Sequence, residues 1–68
     1  MKYHIYDSIT GIYKKSIELD YQPEFSVTGH LPEETQYYTI AYINNEWVSV
    51  VRPEYEIIDD NFVLKILN

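Results

Sequence analysis

Along most of this chain apolar and polar positions alternate with a period of two, and almost nowhere do they recur at helical spacing. In Lys2 to Tyr6, Tyr3 and Ile5 fall on one side and Lys2, His4 and Tyr6 on the other, the pattern of a half-buried strand. The stretch "DSITG" breaks the alternation. Asp7 and Ser8 are suited to start a turn through side-chain to backbone bonds, and Gly11 to take the left-handed position that closes a bulged loop. The return segment "IYKKSIEL" sets Tyr13, Lys15, Ile17 and Leu19 on one side and Ile12, Lys14, Ser16 and Glu18 on the other. These two segments predict a first hairpin.

From Asp20 to Glu34 the alternation dissolves into "DYQPEFSVTGHLPEE". A loop of about fifteen residues is long for a small domain, which marks it either as functional or as pinned by its own apolar residues, here Tyr21, Phe25, Val27 and Leu31. Pro32, Glu33 and Glu34 suit the opening of a helix, so one helical turn near 32–36 is expected, with no room for more before the β-rich "QYYTIAYI".

The second hairpin has the clearest pattern. "QYYTIAYI" and "EWVSVV" are rich in β-branched and aromatic residues and flank Asn44 and Asn45, which tolerate the positive φ of a type I′ turn. That turn pairs Ile43 with Glu46, Tyr42 with Trp47, Ala41 with Val48, Ile40 with Ser49, Thr39 with Val50 and Tyr38 with Val51. Neither resulting face is plainly polar, so the ribbon is expected to be covered on both sides or to bury its second face against a partner. Pro53 then ends the ladder, having no N–H to donate. "YEII" and "NFVLKI" around Asp59 and Asp60 predict a third hairpin with Phe62, Leu64 and Ile66 as its alternating apolar set. The chain is therefore expected to be a single all-β domain spanning 1–68, a small antiparallel sheet or partly open barrel of six strands in three hairpins.

A chain of 68 residues buries only about 60% of the surface that it exposes when unfolded, and with no cysteine it has no disulfide to compensate. Eight Tyr, two Phe and one Trp must supply much of the core. Some of these rings are candidates for cover by a second subunit, so a homo-oligomer is among the expected states. The net charge of −6 argues against direct contact with nucleic acid or an anionic membrane. Between Ser16 and Asp60 stand ten carboxylates and one cation, Arg52, a local net of −9. No stretch approaches the roughly 18 apolar residues of a membrane helix, and the start has no signal-peptide core, which predicts a soluble protein made in a cytoplasm.

Candidate chemistry is sparse. The serines have no glycine-flanked nucleophile pattern, His4 and His30 have no partner at metal-ligand spacing, and Glu54, Glu56, Asp59 and Asp60 do not follow a calcium-loop pattern. Two isolated glycines make no phosphate cradle. The histidines are read as ordinary surface or strand positions, and neither a cofactor nor a metal is expected. The residues describe a binding protein rather than an enzyme. Tyr42 and Trp47 are then either core or contact surface, since such rings offer large area at low entropic cost. The carboxylates are either a solvated face that guards a strand edge or part of a docking surface.

"KYHIYDSITGIYKKSIELDYQP", the proline-bearing linker and "YTIAYINNEWVSVV" together resemble the short domains of bacteriophage tail fibre and tail fibre assembly proteins. The matching positions within Lys2 to Val51 are Tyr6, Asp7, Thr10, Gly11 and Tyr13, then Pro32, Tyr42, Trp47 and Val48. Asn44 and Asn45 stand where that family has a glycine, and "YEIIDDNFVLKILN" replaces its polar continuation. The resemblance implies a non-catalytic role in attachment or assembly of a tail fibre, with Tyr38, Tyr42 and Trp47 as contact residues and a place in the virion tail or the host cytoplasm. The alternative is a small acidic phage inhibitor that occupies the basic surface of a host nuclease or defence complex. In that reading Glu54, Glu56, Asp59 and Asp60 make the contact, and their field makes association fast and salt-sensitive.

Overall fold

The computed structural model describes residues 1–65, and Ile66, the last of the expected alternating set, lies outside them. The described chain is all-β. Its strands are β1 (Lys2–Tyr6), β2 (Tyr13–Glu18), β3 (Ser26–Val27), β4 (Tyr38–Ile43), β5 (Glu46–Val51), β6 (Tyr55–Ile58) and β7 (Asn61–Leu64). They form three antiparallel sheets, ordered β2-β1-β3, β4-β5 and β6-β7, with no closed barrel. All six predicted pairs of the second hairpin are present. Asn44 and Asn45 have φ of 52° and 66°, and Asp59 and Asp60 have φ of 49° and 63°, so each central pair takes the two positive φ values of a type I′ turn.

The first hairpin departs from simple alternation. Ile5 pairs with Lys15, but the next residue, Tyr6, pairs with Tyr13, so Lys14 is an extra residue bulged out of β2. The bulge moves Tyr13 from the side of Lys15 and Ile17, where alternation placed it, to the side of His4, Ser16 and Tyr6. At the turn, the Asp7 carboxylate accepts hydrogen bonds from the Ile9 and Thr10 amides at 2.8 and 2.9 Å, and the Asp7 carbonyl accepts from the Gly11 amide.

Gly11 links the first two sheets. Its carbonyl accepts the Tyr42 amide at 2.8 Å, and Ile12 bridges Ala41, so the start of β2 lies against the free side of β4. The backbones approach so closely that a Cβ at Gly11 would lie 2.6 Å from the Tyr42 carbonyl oxygen, and φ is +80°. Glycine alone satisfies both conditions. The centre of β4 is accordingly the best-buried part of the chain, with Thr39, Ile40 and Ala41 all enclosed.

Two expectations for the long loop need correction. It contributes a strand, β3, which pairs with β1, and the Tyr6 amide donates to the Phe25 carbonyl. Tyr21 and Phe25 do not pin it, because both are exposed; Val27 and Leu31 are half-buried. Nor is there a helical turn at 32–36. The Thr35 amide donates to the Tyr38 carbonyl, and Arg52 donates to the Thr35 carbonyl and to Glu34, ties that lead the chain directly into β4 instead of closing a helical turn.

Beyond Pro53, which sits in a turn closed by the Tyr55 amide on the Arg52 carbonyl, the third hairpin extends from the rest. The radius of gyration is 13.8 Å, against about 11 Å for a compact chain of this length, and the extents are 45 × 25 × 20 Å.

Gly11→Ala should destabilise the fold by more than about 2 kcal/mol, from left-handed strain and the collision with Tyr42, as read by urea denaturation. The turn also carries a pH dependence. Hydrogen bonds from the Thr10 and then the Ile9 amide hold the Asp7 carboxyl below its ordinary 3.8. The folded state then binds the proton less readily than the unfolded one, so this contribution is complete above pH 3.8 and is lost as the pH falls through the depressed value. Asp7→Asn should remove that part of the acid dependence in denaturation curves taken between neutral pH and about pH 2.

Candidate functional site

The structure divides the predicted contact residues between two places. Tyr42 and Trp47 share one face of the β4-β5 ribbon with ring centroids 5.1 Å apart. They do not stand alone. Tyr6 lies 5.1 Å from Tyr42 and 6.3 Å from Trp47, and Tyr13 lies 5.9 Å from Trp47. This row of half-buried rings runs from β1 through β2 and β4 to β5, over the Gly11 junction. Tilted and edge-on pairs of this kind are worth about 0.5–1.5 kcal/mol each beyond the area that they bury. The row therefore packs the first two sheets together. The Lys14 bulge makes it complete, because only with Tyr13 turned to this side does Trp47 meet a ring from β2.

The second place is the third hairpin and its root. In the observed register Tyr55, Ile57, Phe62 and Leu64 share one face, and Glu56, Ile58, Asn61 and Val63 the other. Tyr37 stacks on Phe62 at 4.4 Å and 4° and meets Tyr55 edge-on, while Tyr38 meets Phe62 edge-on at 5.5 Å. These rings cover only the root. Ile57, Ile58, Val63 and Leu64 remain 53, 48, 39 and 59% exposed. Glu54, Glu56, Asp59 and Asp60 are exposed on the same hairpin, so an acidic and apolar ribbon projects from the molecule with Tyr38 at its base.

His4 has a more specific place than an ordinary strand residue. It is 7% exposed, its Nε2 donates to the Gly29 carbonyl at 2.8 Å, and its Nδ1 meets Ser16 Oγ at 2.7 Å. Ser16 Oγ in turn meets the Tyr13 hydroxyl at 2.6 Å. A histidine in contact with a serine and oriented by a carbonyl has the outline of a nucleophile and base. Here the Ser16 hydroxyl has a partner on each side, and the arrangement ties the long loop to the first hairpin. Within the loop itself, Ser26 Oγ donates to the Pro23 carbonyl and the Gln22 side chain to the Ser26 carbonyl. The period-two pattern could not show this, because the partner of His4 is a backbone atom of the loop. His30 is exposed.

Among the described residues no group of three histidine or carboxylate side chains is placed to hold a metal ion, and no enclosed pocket is present. The chemistry that the surface does offer is apolar contact, carboxylates and unpaired strand edges.

Because the third hairpin is anchored mainly by rings, Tyr37→Ala should loosen it selectively. Amide exchange at Glu56 and Val63 should quicken by roughly 10- to 100-fold, the equivalent of losing about 1–3 kcal/mol of aromatic contact, while Thr39, Ala41, Val48 and Val50 keep their protection.

No protein-family model matches the chain, and neither a curated protein nor a solved structure matches it at a significant level.

Proposed function

We propose that this chain is a non-catalytic protein-binding module that contacts its partner through the β6-β7 hairpin. The observation that carries the reading is the exposure of Ile57, Ile58, Val63 and Leu64 on a two-stranded ribbon beside Glu54, Glu56, Asp59 and Asp60. Apolar side chains gathered on a projecting element gain free energy when covered, at about 25 cal/mol per Å² of surface removed from water. The carboxylates select a partner whose apolar patch is bordered by Lys or Arg. The likeness of Lys2 to Val51 to tail fibre domains supports a partner in a bacteriophage tail fibre or its assembly, with Tyr38 at the margin of the contact. Tyr42 and Trp47 then have a structural part, holding the first two sheets together.

The clustering of four carboxylates on one projecting hairpin favours a second reading, the acidic inhibitor that covers a basic nucleic-acid-binding surface of a host nuclease or defence complex. The two differ in which part of the hairpin dominates. Immobilised full-length chain should retain a tail protein from extracts of phage-infected or lysogenic cells. Ile57→Ser with Leu64→Ser should weaken that binding at least about tenfold, and raising the salt should change it little. Retention of a nuclease or nucleic-acid complex, with affinity that falls steeply with salt and on changing the four carboxylates to amides, would establish the inhibitor reading instead. If the serine substitutions leave capture unchanged and the amide substitutions do too, the hairpin is not the contact.

A further inference from the structure

The free edge of β5 carries an inference independent of the hairpin. In a two-residue hairpin the residues flanking the turn bond to each other and alternate pairs point away. Ile43 and Glu46 therefore face each other, and Tyr42, Ile40 and Tyr38 turn their backbone groups outward. The observed bonds agree: the Tyr42 amide goes to Gly11, the Tyr38 carbonyl to Thr35, and the inward Arg52 amide to the Tyr37 carbonyl. By the same alternation Trp47, Ser49 and Val51 aim their N–H and C=O groups away from β4, along an edge on which no described strand lies.

The other free edges are protected. β2 carries Lys14 and Lys15 and a bulge, β3 has two residues, and β6 and β7 have four each amid Glu54, Glu56, Asp59 and Asp60. Short strands, lysines, bulges and charge are the usual defences of an edge. β5 has none of the first three. Its six residues, Glu46–Val51, include one charge, at the end, and no proline.

We infer that a second copy of this chain pairs with β5 in antiparallel fashion about a two-fold axis at Ser49. In that register Ser49 faces Ser49 of the second copy, Trp47 faces Val51, Val48 faces Val50, and Glu46 faces Arg52. Every cross-strand pair is favourable, two aromatic with β-branched, two Val with Val and two opposite charges, and no like charges meet. Arg52 already donates to Glu34 and to the Thr35 carbonyl, but its five donors leave others for Glu46. The outward groups of Trp47, Ser49 and Val51 form six hydrogen bonds across the axis. The ladder ends at the Asn44–Asn45 turn on one side and at Pro53, which has no N–H, on the other. Sliding the register by two residues separates Glu46 from Arg52 and moves the axis off Ser49. The product is a four-stranded sheet, β4-β5 continued into β5-β4 of the second copy.

Sedimentation of the full chain, taken up to about 1 mM because one strand pair is a small interface, should show a species of twice the 8.2 kDa chain mass. Ser49→Lys places two cations across the axis and should leave a monomer with an unchanged far-UV spectrum. Glu46→Lys and Arg52→Glu should each weaken dimerisation by about tenfold, since each turns both ion pairs repulsive. Mixing these two variants makes both pairs attractive again, one reversed in polarity by the substitutions and the other the original Glu46 with Arg52, and should restore wild-type affinity in the heterodimer. A wild-type chain that stays monomeric throughout, a Ser49→Lys chain that dimerises like wild type, or a mixture no tighter than either variant alone would overturn the pairing. Should Arg52→Glu lose its fold, the wild-type mass and Ser49→Lys still decide.

Discussion

The structure depends on one close approach of backbone to backbone, where the Gly11 carbonyl accepts the Tyr42 amide. Two-stranded hairpins are marginal by themselves in water, and three strands or more are needed to bury a face. The contact at Gly11 makes β4-β5 a lateral extension of β2-β1-β3, and β1, β2, β4 and β5 then share a row of rings. Each condition requires the others. Asp7 shapes the loop, the loop presents Gly11, the missing Cβ permits contact with β4, and the bulge at Lys14 turns Tyr13 toward Trp47. Residues spread across half of the chain thus stabilise one junction.

The apolar core that this junction creates is thin. Among the described residues the large apolar side chains that are buried are Tyr3 and Ile40, and His4, Ser26 and Thr39 are buried with them. Buried polar groups cost free energy unless they are bonded. Among the described residues none of the buried side-chain nitrogen or oxygen atoms lacks a partner. The polar interior therefore does structural work that leucines do in a larger domain. His4 links β1 to Ser16 of β2 on one side and to the loop at Gly29 on the other, so directed bonds give a loop of low apolar content a defined path.

What could be read from the sequence was whatever local chemistry determines. Asn44–Asn45 and Asp59–Asp60 tolerate positive φ, and those turns set the register of their hairpins without help from the rest of the fold. Gly11 was identifiable as a left-handed residue, but its contact with Tyr42 was not, because that depends on a segment 31 positions away. The bulge at Lys14 was hidden for a similar reason: alternation through "IYKKSIEL" looks unbroken, and only the fixed positions of Tyr6 and Ile5 show where the extra residue falls. β3 was missed since two residues carry no period. The helical turn at 32–36 was expected from the terminus preferences of proline and glutamate, which Arg52, distant in sequence, overrides. For the candidate surface, composition located the acids and the rings, whereas the separation of Tyr42 and Trp47 from the hairpin followed from packing alone.

The distribution of charge and apolar surface over the strand edges then has one physical explanation. A ribbon such as β6-β7, with four exposed aliphatic side chains and two unpaired edges, would invite pairing with its own kind. Its carboxylates prevent that, because two copies brought together would set like charges side by side. The same charges leave the ribbon attractive to a surface of opposite sign. β5 is the reverse case: its single carboxylate, Glu46, and the Arg52 that follows it are of opposite sign and lie at opposite ends of the strand, so reversing one copy against another makes them complementary. In the two proposals made above, acidic guarding on one element and charge balance on the other assign the two elements to different partners, one foreign and one identical. A chain with so little core can keep both surfaces exposed because the junction at Gly11 needs neither of them.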